Sequence, residues 1–310
     1  MKGYYRIIAG AGSQFAAQCI DGSFIGVDYK IDANLAEEGP ETLQAFNTKF
    51  IPIYLQKRPD ASRVTAGLAC GYLWAISKSI QQGDIVLSPD GAGRYHVGAV
   101  SGPYFYAPGQ ILPHRRPMRW FPTLIDKNDM SDSLRRSMIS GVTVCNLGRL
   151  GHGEEIECLI GGSVPAPIPA TAEAVEDAAA FAMEKHLEDF LVENWAQTDL
   201  GRLYDIYTED GELVGQQYPT DTGPLDILAI SKDRKKLLVV ELKRGKASDA
   251  VVGQTLRYMG YVQETLAEEG QTVEGVIVAL EDDNRIRRAL SMTPSIQFYR
   301  YEISFKLVKG

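Results

Sequence analysis

Gly223-Pro-Leu-Asp-Ile-Leu-Ala-Ile230 and Leu237-Leu-Val-Val-Glu-Leu-Lys-Arg244, joined by Ser231-Lys-Asp-Arg-Lys-Lys236, decide the reading of this chain. Both outer segments are short apolar runs of the kind that form buried strands. The charged connector reads as a surface turn. The pattern predicts a hairpin that brings Asp226, Glu241 and Lys243 near one another. Side chains alternate across a strand, so Glu241 and Lys243 share one face and Leu242 takes the other.

Two carboxylates and a lysine on adjacent strands form a chemical unit. A pair of carboxylates suits a hard cation such as Mg²⁺, which keeps several waters and leaves room for a phosphate. Such a metal lowers the pKa of a bound water and stabilises charge on a transferring phosphoryl group. A lysine beside it orients the water or neutralises charge. Taken alone, Glu-x-Lys is ordinarily an ion pair at a strand end. The Asp in the upstream apolar strand weighs against that, because a buried acid needs a partner or a metal.

Asp226 followed by Glu241-Leu-Lys243 resembles the PD-(D/E)XK nuclease signature. The next segment, Arg244-Gly-Lys-Ala-Ser-Asp-Ala-Val-Val-Gly-Gln254-Thr-Leu-Arg-Tyr258, is similar to the C-terminal domain of NucS-type endonucleases. The resemblance covers about residues 172–300. It implies a restriction-endonuclease-like α/β domain, a mixed sheet flanked by helices. It also implies Mg²⁺ or Mn²⁺ held by Asp226 and Glu241, with Lys243 positioning the attacking water. Gln254 and Tyr258, four apart on one helix face, would turn toward the site. One departure is that Gly-Pro-Leu, rather than Pro itself, precedes Asp226. Such nucleases commonly add an acid from the first helix. Glu184 and Glu188 are the candidates on a helix expected over 172–194, with Glu188 preferred. The ordinary role of both is to face solvent. Phe181, Leu187, Phe190 and Leu191 are expected on that helix's buried side.

The chain has 310 residues and an apolar fraction of 45%, which fits two globular domains. No apolar run approaches a membrane span, and the N-terminus shows no signal peptide. Cys19, Cys70, Cys145 and Cys158 are scattered, without a CxxC pair. That pattern argues against a zinc site or a disulfide framework and fits a reducing cytoplasm. The net charge of −8 runs against binding phosphates, so any nucleic-acid contact needs a local basic stripe. Candidates are His114-Arg-Arg-Pro-Met-Arg119, Arg135-Arg136, and the runs 232–236 and 285–288.

In the N-terminal half, strand-like segments at 4–9, 24–28, 84–88 and 94–100 surround a helix expected over 61–80, with glycine-rich turns between. This pattern predicts a small β-barrel-like α+β domain. Residues 126–140 look helical, with Ser131 as N-cap; 142–147 read as a strand; 148–162 are glycine-rich. About residues 3–125 resemble the PUA/EVE-like domain of modification-dependent restriction proteins. The resemblance rests on Phe24-Ile-Gly-Val-Asp28, Gly83-Asp-Ile-Val-Leu87, residues 95–100 with Gly102-Pro-Tyr-Phe-Tyr106, and His114-Arg-Arg-Pro-Met-Arg-Trp120. It implies an aromatic pocket for one flipped base, where stacking offsets the cost of unstacking. Trp74, Tyr104, Tyr106 and Trp120 are the candidate rings, and Asp28 and Ser88 the candidate edge contacts. Arg115, Arg116 and Arg119 are candidate phosphate contacts. Core packing is the ordinary role of each aromatic, of Trp74 above all.

Proline at alternate positions in Ser163-Val-Pro-Ala-Pro-Ile-Pro-Ala170 reads as a semi-rigid linker. The expected organisation is therefore 1–162, a linker at 163–170, and a nuclease domain at 171–310. Together these readings imply a Mg²⁺-dependent endonuclease acting on double-stranded DNA as a homodimer, and restricting DNA with modified bases. The alternatives are a NucS-like mismatch or branched-DNA repair enzyme, and a non-catalytic DNA-binding module on a nuclease fold.

Overall fold

The computed structural model describes residues 2–139, 141–161, 187–209, 211–282 and 284–302. The chain divides into two units, Met1–Ile168 and Pro169–Gly310. The expected linker, Phe181, Glu184 and the start of the helix expected from residue 172 lie outside the described residues. No helix among the described residues is long and apolar enough to cross a membrane.

The first unit holds strands β1 (Tyr4–Ile7), β2 (Phe24–Val27), β3 (Ile85–Pro89), β4 (Arg94–Val100), β5 (Phe105–Tyr106), β6 (His114–Asp126) and β7 (Val144–Asn146). They form a seven-stranded sheet of order β2-β6-β4-β3-β1-β7, with β5 also on β6. β1 and β3 run parallel. β6 changes partner at Pro117: up to there it pairs with β2, and from Met118 onward with β4. A residue without an N–H suits that exchange. Among the described residues the path from β2 to β7 stays open, which departs from the expected small barrel.

The helices of this unit are α1 (Ala16–Asp21), α2 (Leu35–Glu38), α3 (Leu43–Lys57), α4 (Arg63–Trp74), α5 (Asp132–Met138) and α6 (Gly153–Gly161). Thr42, Ser62 and Ser131 cap α3, α4 and α5 by accepting from Ala45, Thr65 and Leu134 N–H groups. The helix expected over 61–80 is α4 followed by a wider turn at Ala75–Ser79. α6 falls in the stretch whose glycines suggest loop. It is held by Ile156, fully buried beside Leu134 and Met138, so tertiary burial overrides weak local propensity.

In the second unit, residues 187–193 are helical and are called α7. α8 (Asp199–Leu203), α9 (Asp249–Tyr261) and α10 (Asn284–Ser291) follow. The strands are β8 (Tyr204–Ile206), β9 (Thr208–Glu209), β10 (Glu212–Leu213), β11 (Gln216–Thr220), β12 (Gly223–Ser231), β13 (Lys236–Lys246), β14 (Thr272–Glu281) and β15 (Ile296–Arg300). Five of them run in the order β11-β12-β13-β14-β15, and β8 joins β12 as the sixth. β12 and β13 are an antiparallel hairpin, while β13, β14 and β15 are parallel, with α9 and α10 as the crossovers.

The hairpin turn satisfies its own polar groups. The Ser231 hydroxyl donates to Asp233 and accepts from the Lys236 N–H, and Arg234 takes the left-handed conformation at φ 60°. Ile227, Ala229, Leu238, Val240, Leu242, Val276 and Val278 form the core on one face. Leu187, Leu191 and Val192 of α7 pack against that core. Phe190, expected on the buried side, is 64% exposed. The inward turn of α7 is instead occupied by Glu188 and Asp189, both buried. α9 covers the opposite face. A Cβ at Gly275 of β14 would lie 2.7 Å from the Met259 sulfur and 3.0 Å from the Thr255 methyl. Glycine here lets the helix settle without Met259 or Thr255 having to shift.

Candidate active site

The site lies where the hairpin comes apart. β12 and β13 pair regularly from Ile230↔Leu237 to Ile227↔Val240, and Asp226 and Glu241 occupy the next register positions. There the ladder gives way to a side chain: Asp226 Oδ2 accepts the Leu242 N–H at 2.7 Å. β12 goes on with β11 and β13 goes on with β14, so a fork opens with Asp226 on one tine and Glu241 on the other. Glu241 and Lys243 share a face, and the Lys243 ammonium lies 3.1 Å from Glu241 Oε1. Glu241 is buried, its side chain 2% exposed, while Lys243 keeps 30% of its side-chain surface. The lysine thus offers a positive charge at the mouth, and the glutamate holds a negative one within.

α9 brings two further groups to the fork. Tyr258 donates from its hydroxyl to the Pro224 carbonyl at 3.0 Å, two residues before Asp226. Gln254 donates to the same hydroxyl at 3.4 Å. Burial raises the Tyr258 pKa and the charges of Glu241 and Asp226 add to the rise, while the Gln254 hydrogen bond and Lys243 oppose it. Tyr258 therefore stays a neutral phenol within the field of all three central side chains.

Glu188 reaches the fork from α7 through two amides that the sequence reading missed. Gln216 donates to Glu188 Oε1 at 2.7 Å and to Asp189 Oδ1 at 3.0 Å. Gln217 donates to Glu188 Oε2 and, at 3.3 Å, to Asp226 Oδ1. The available signal was a polar Gln-Gln pair in the strand leading to Asp226. Neither residue type nor spacing marks such a pair as functional.

The donor set is made of oxygen. Among the described residues no group of three or more His, Cys, Asp or Glu is placed to enclose an ion. Two carboxylates from neighbouring register positions suit a hard cation that retains most of its water, as Mg²⁺ does, and not a soft metal.

The first unit places its candidates differently, and several expectations are corrected. Arg115 and Arg116 are buried. Arg115 donates to the Leu112 carbonyl at 3.0 Å and stacks on Phe24, and Arg116 donates to the Ile76 and Ser77 carbonyls at 2.7 and 2.9 Å. Both guanidiniums are spent on backbone carbonyls, Arg115 in the turn before β6 and Arg116 in the helical turn Ala75–Ser79; Arg119 is the exposed member. Tyr104 is buried, bonded to His114 Nδ1 at 2.8 Å, with burial pushing its pKa up to about 12. Tyr106 leans on the same histidine ring. Asp28 is paired with Lys30.

Trp74 packs edge-on against Phe46 in the core. Trp120 donates to the Cys19 carbonyl at 3.2 Å and touches His96. Ser88 is 1% exposed, and its hydroxyl has no hydrogen-bond partner. Tyr104 lies in one core cluster with Trp74, Tyr106 and Trp120 packed against it, and Ser88 pairs across the sheet with His96, which touches Trp120.

Residues 184–302 match the family model described as the endonuclease NucS C-terminal domain. Residues 5–148 match a model described as a domain of unknown function, DUF8426. Among solved structures, a repair endonuclease from Pyrococcus abyssi shares 17% identity over 72% of this chain and 67% of its own, with a TM-score of 0.31. An EndoMS–dsDNA complex shares 13% over 72% and 66%, with a TM-score of 0.33. An apo EndoMS structure shares 21% over 39% and 45%, with a TM-score of 0.28. The chain thus spans about two thirds of the first two proteins and under half of the third. The family model covers residues 184–302 of the Pro169–Gly310 unit that carries the fork, so this part of the chain is NucS-like.

Proposed function

We propose that the chain is a Mg²⁺- or Mn²⁺-dependent endonuclease that hydrolyses phosphodiester bonds in double-stranded DNA. The observation that carries this reading is the fork itself. Asp226, Glu241 and Lys243 meet there with Glu188, Gln254 and Tyr258, inside the segment that matches the NucS C-terminal domain. Asp226 and Glu241 are the residues to hold the ion. When bound, the cation supplies an activated water and neutralises charge on the phosphate. Lys243 orients the nucleophile at the open mouth. Tyr258 and Gln254 hold the Pro224–Asp226 strand in place. Cutting both strands takes two such sites, which a homodimer provides.

On substrate, the NucS-like unit favours mismatched or branched DNA, since Tyr104 is buried in the core and Trp74, Tyr106 and Trp120 are half-buried against it. One observation favours the second reading, restriction of modified DNA through a PUA/EVE-like first unit. That is the unpartnered Ser88 hydroxyl, a polar group in a setting where partners are the rule. The full chain should be incubated with Mn²⁺ and plain, mismatched, branched or 5-hydroxymethylcytosine-bearing duplexes. Preferential cutting of the mismatch or branch supports repair; cutting of only the modified duplex supports restriction. Binding without cutting of any of them would make the chain a non-catalytic DNA-binding module.

A further inference from the structure

Gln216 and Gln217 are successive residues of a strand, yet both amides reach the Glu188 carboxylate. Regular alternation would send them to opposite faces. The exception has a backbone cause. Gln217 has φ 52°, in the left-handed region that side-chain-bearing residues avoid. The flanking pairs Gln216↔Ile227 and Tyr218↔Leu225 are regular, and the missing pair between them is Gln217 with Asp226. The ladder is therefore broken opposite Asp226, and the freed residue turns its amide into the fork. There one Nε2 group donates to Glu188 on α7 and to Asp226 on β12. The remaining Asp226 oxygen is taken by the Leu242 N–H.

We propose that Gln217 is a positioning residue, held in a strained conformation in order to fix the Asp226 carboxylate and yoke it to the helix-borne Glu188, so that the two act as one anionic unit toward a divalent cation. The inference rests on the endonuclease reading. Glu188 and Asp226 come from different elements, α7 and β12, and two like charges left to themselves move apart. A shared donor offsets that repulsion and sets their spacing before an ion arrives. Strained backbone that persists beside a reactive carboxylate has a local reason, and here the reason is the reach of one amide. Groups that orient metal ligands typically change metal affinity by about 10–100-fold when removed.

The test uses the full chain and Mn²⁺ as the probe, with calorimetric titration for affinity and thermal unfolding in EDTA for stability. Gln217→Gly removes the amide and relieves the left-handed strain. It should bind Mn²⁺ about 10–100-fold more weakly, yet unfold in EDTA at the wild-type temperature or above. Gln217→Asn tolerates the same backbone but is one methylene too short to span both carboxylates, and should lose affinity in the same direction. Wild-type Mn²⁺ affinity in either folded variant overturns the proposal, as does a lowered unfolding temperature with unchanged affinity. A folded wild-type protein that binds no Mn²⁺ overturns the endonuclease reading itself, and the role of Gln217 with it.

Discussion

Replacing Asp226 separates chemistry from architecture, because its two oxygens do different things. Oδ2 holds the Leu242 N–H at 2.7 Å where β12 and β13 diverge, and Oδ1 takes the Gln217 amide. Asp226→Ala deletes both acceptors and leaves a backbone donor in a part-buried setting. A hydrogen bond to a charged group contributes about 1.5–3 kcal/mol. For the Pro169–Gly310 unit, at roughly 3–4 °C per kcal/mol, unfolding in EDTA should fall by roughly 5–10 °C. Asp226→Asn keeps an oxygen for Leu242 and removes one negative charge from a cluster that also holds Glu188 and Glu241. Lost bond strength and relieved repulsion nearly cancel, and its midpoint should stay within about 3 °C of wild type. Both variants should lose Mg²⁺-dependent plasmid nicking by about 10²–10³-fold or more. Nicking at the wild-type rate by Asp226→Ala would mean that the fork is not the site. Equal melting of the two variants would mean that Oδ2 does not hold the strands at their divergence.

Four further substitutions have expected outcomes. Lys243→Ala should abolish nicking while duplex affinity by fluorescence anisotropy stays within about threefold, since one cation contributes little to a salt-dependent affinity. Tyr204 donates to Glu274 at 2.7 Å, and burial first and then Glu274 raise its pKa. The neutral phenol is favoured by the fold, so its contribution is full below the unfolded value of about 10 and is lost as pH rises toward the folded one. Stability of Tyr204→Phe, measured by urea unfolding, should accordingly fall less steeply above about pH 10 than that of wild type. Arg116→Ala should lower stability by about 3 kcal/mol through orphaned Ile76 and Ser77 carbonyls and the cavity its buried side chain leaves. Arg119→Ala, at an exposed position, should leave melting unchanged and weaken DNA binding at low salt.

Much of the fork is visible in residue order. An Asp in an apolar strand, a polar turn and Glu-Leu-Lys predict a hairpin with these three groups together, because strand alternation and pairing are local rules. Helix periodicity puts Gln254 and Tyr258 on one face, the resemblance to NucS-type domains turns that face toward the site, and Gly275 gives α9 room against β14. In the first unit, residue type misleads. Arg115 and Arg116 read as a basic face, yet lie buried on backbone carbonyls. In the second unit, Phe190 reads as core yet is exposed, while its neighbours Glu188 and Asp189 are inside. Arginine, glutamate and phenylalanine each have two stable settings, and the choice depends on which carbonyls and amides the rest of the chain delivers.

By itself the sequence determines the hairpin, the facing of Glu241 and Lys243, and the oxygen character of the donor set, since these follow from periodicity and chemistry over a few residues. Only the tertiary structure decides that the ladder breaks at Asp226, that Gln217 turns left-handed to face it, and that Glu188 arrives from α7. Those features join residues 188, 217, 226 and 241, which lie on four separate elements. Their meeting is set by packing on both faces of one sheet, which no local rule contains.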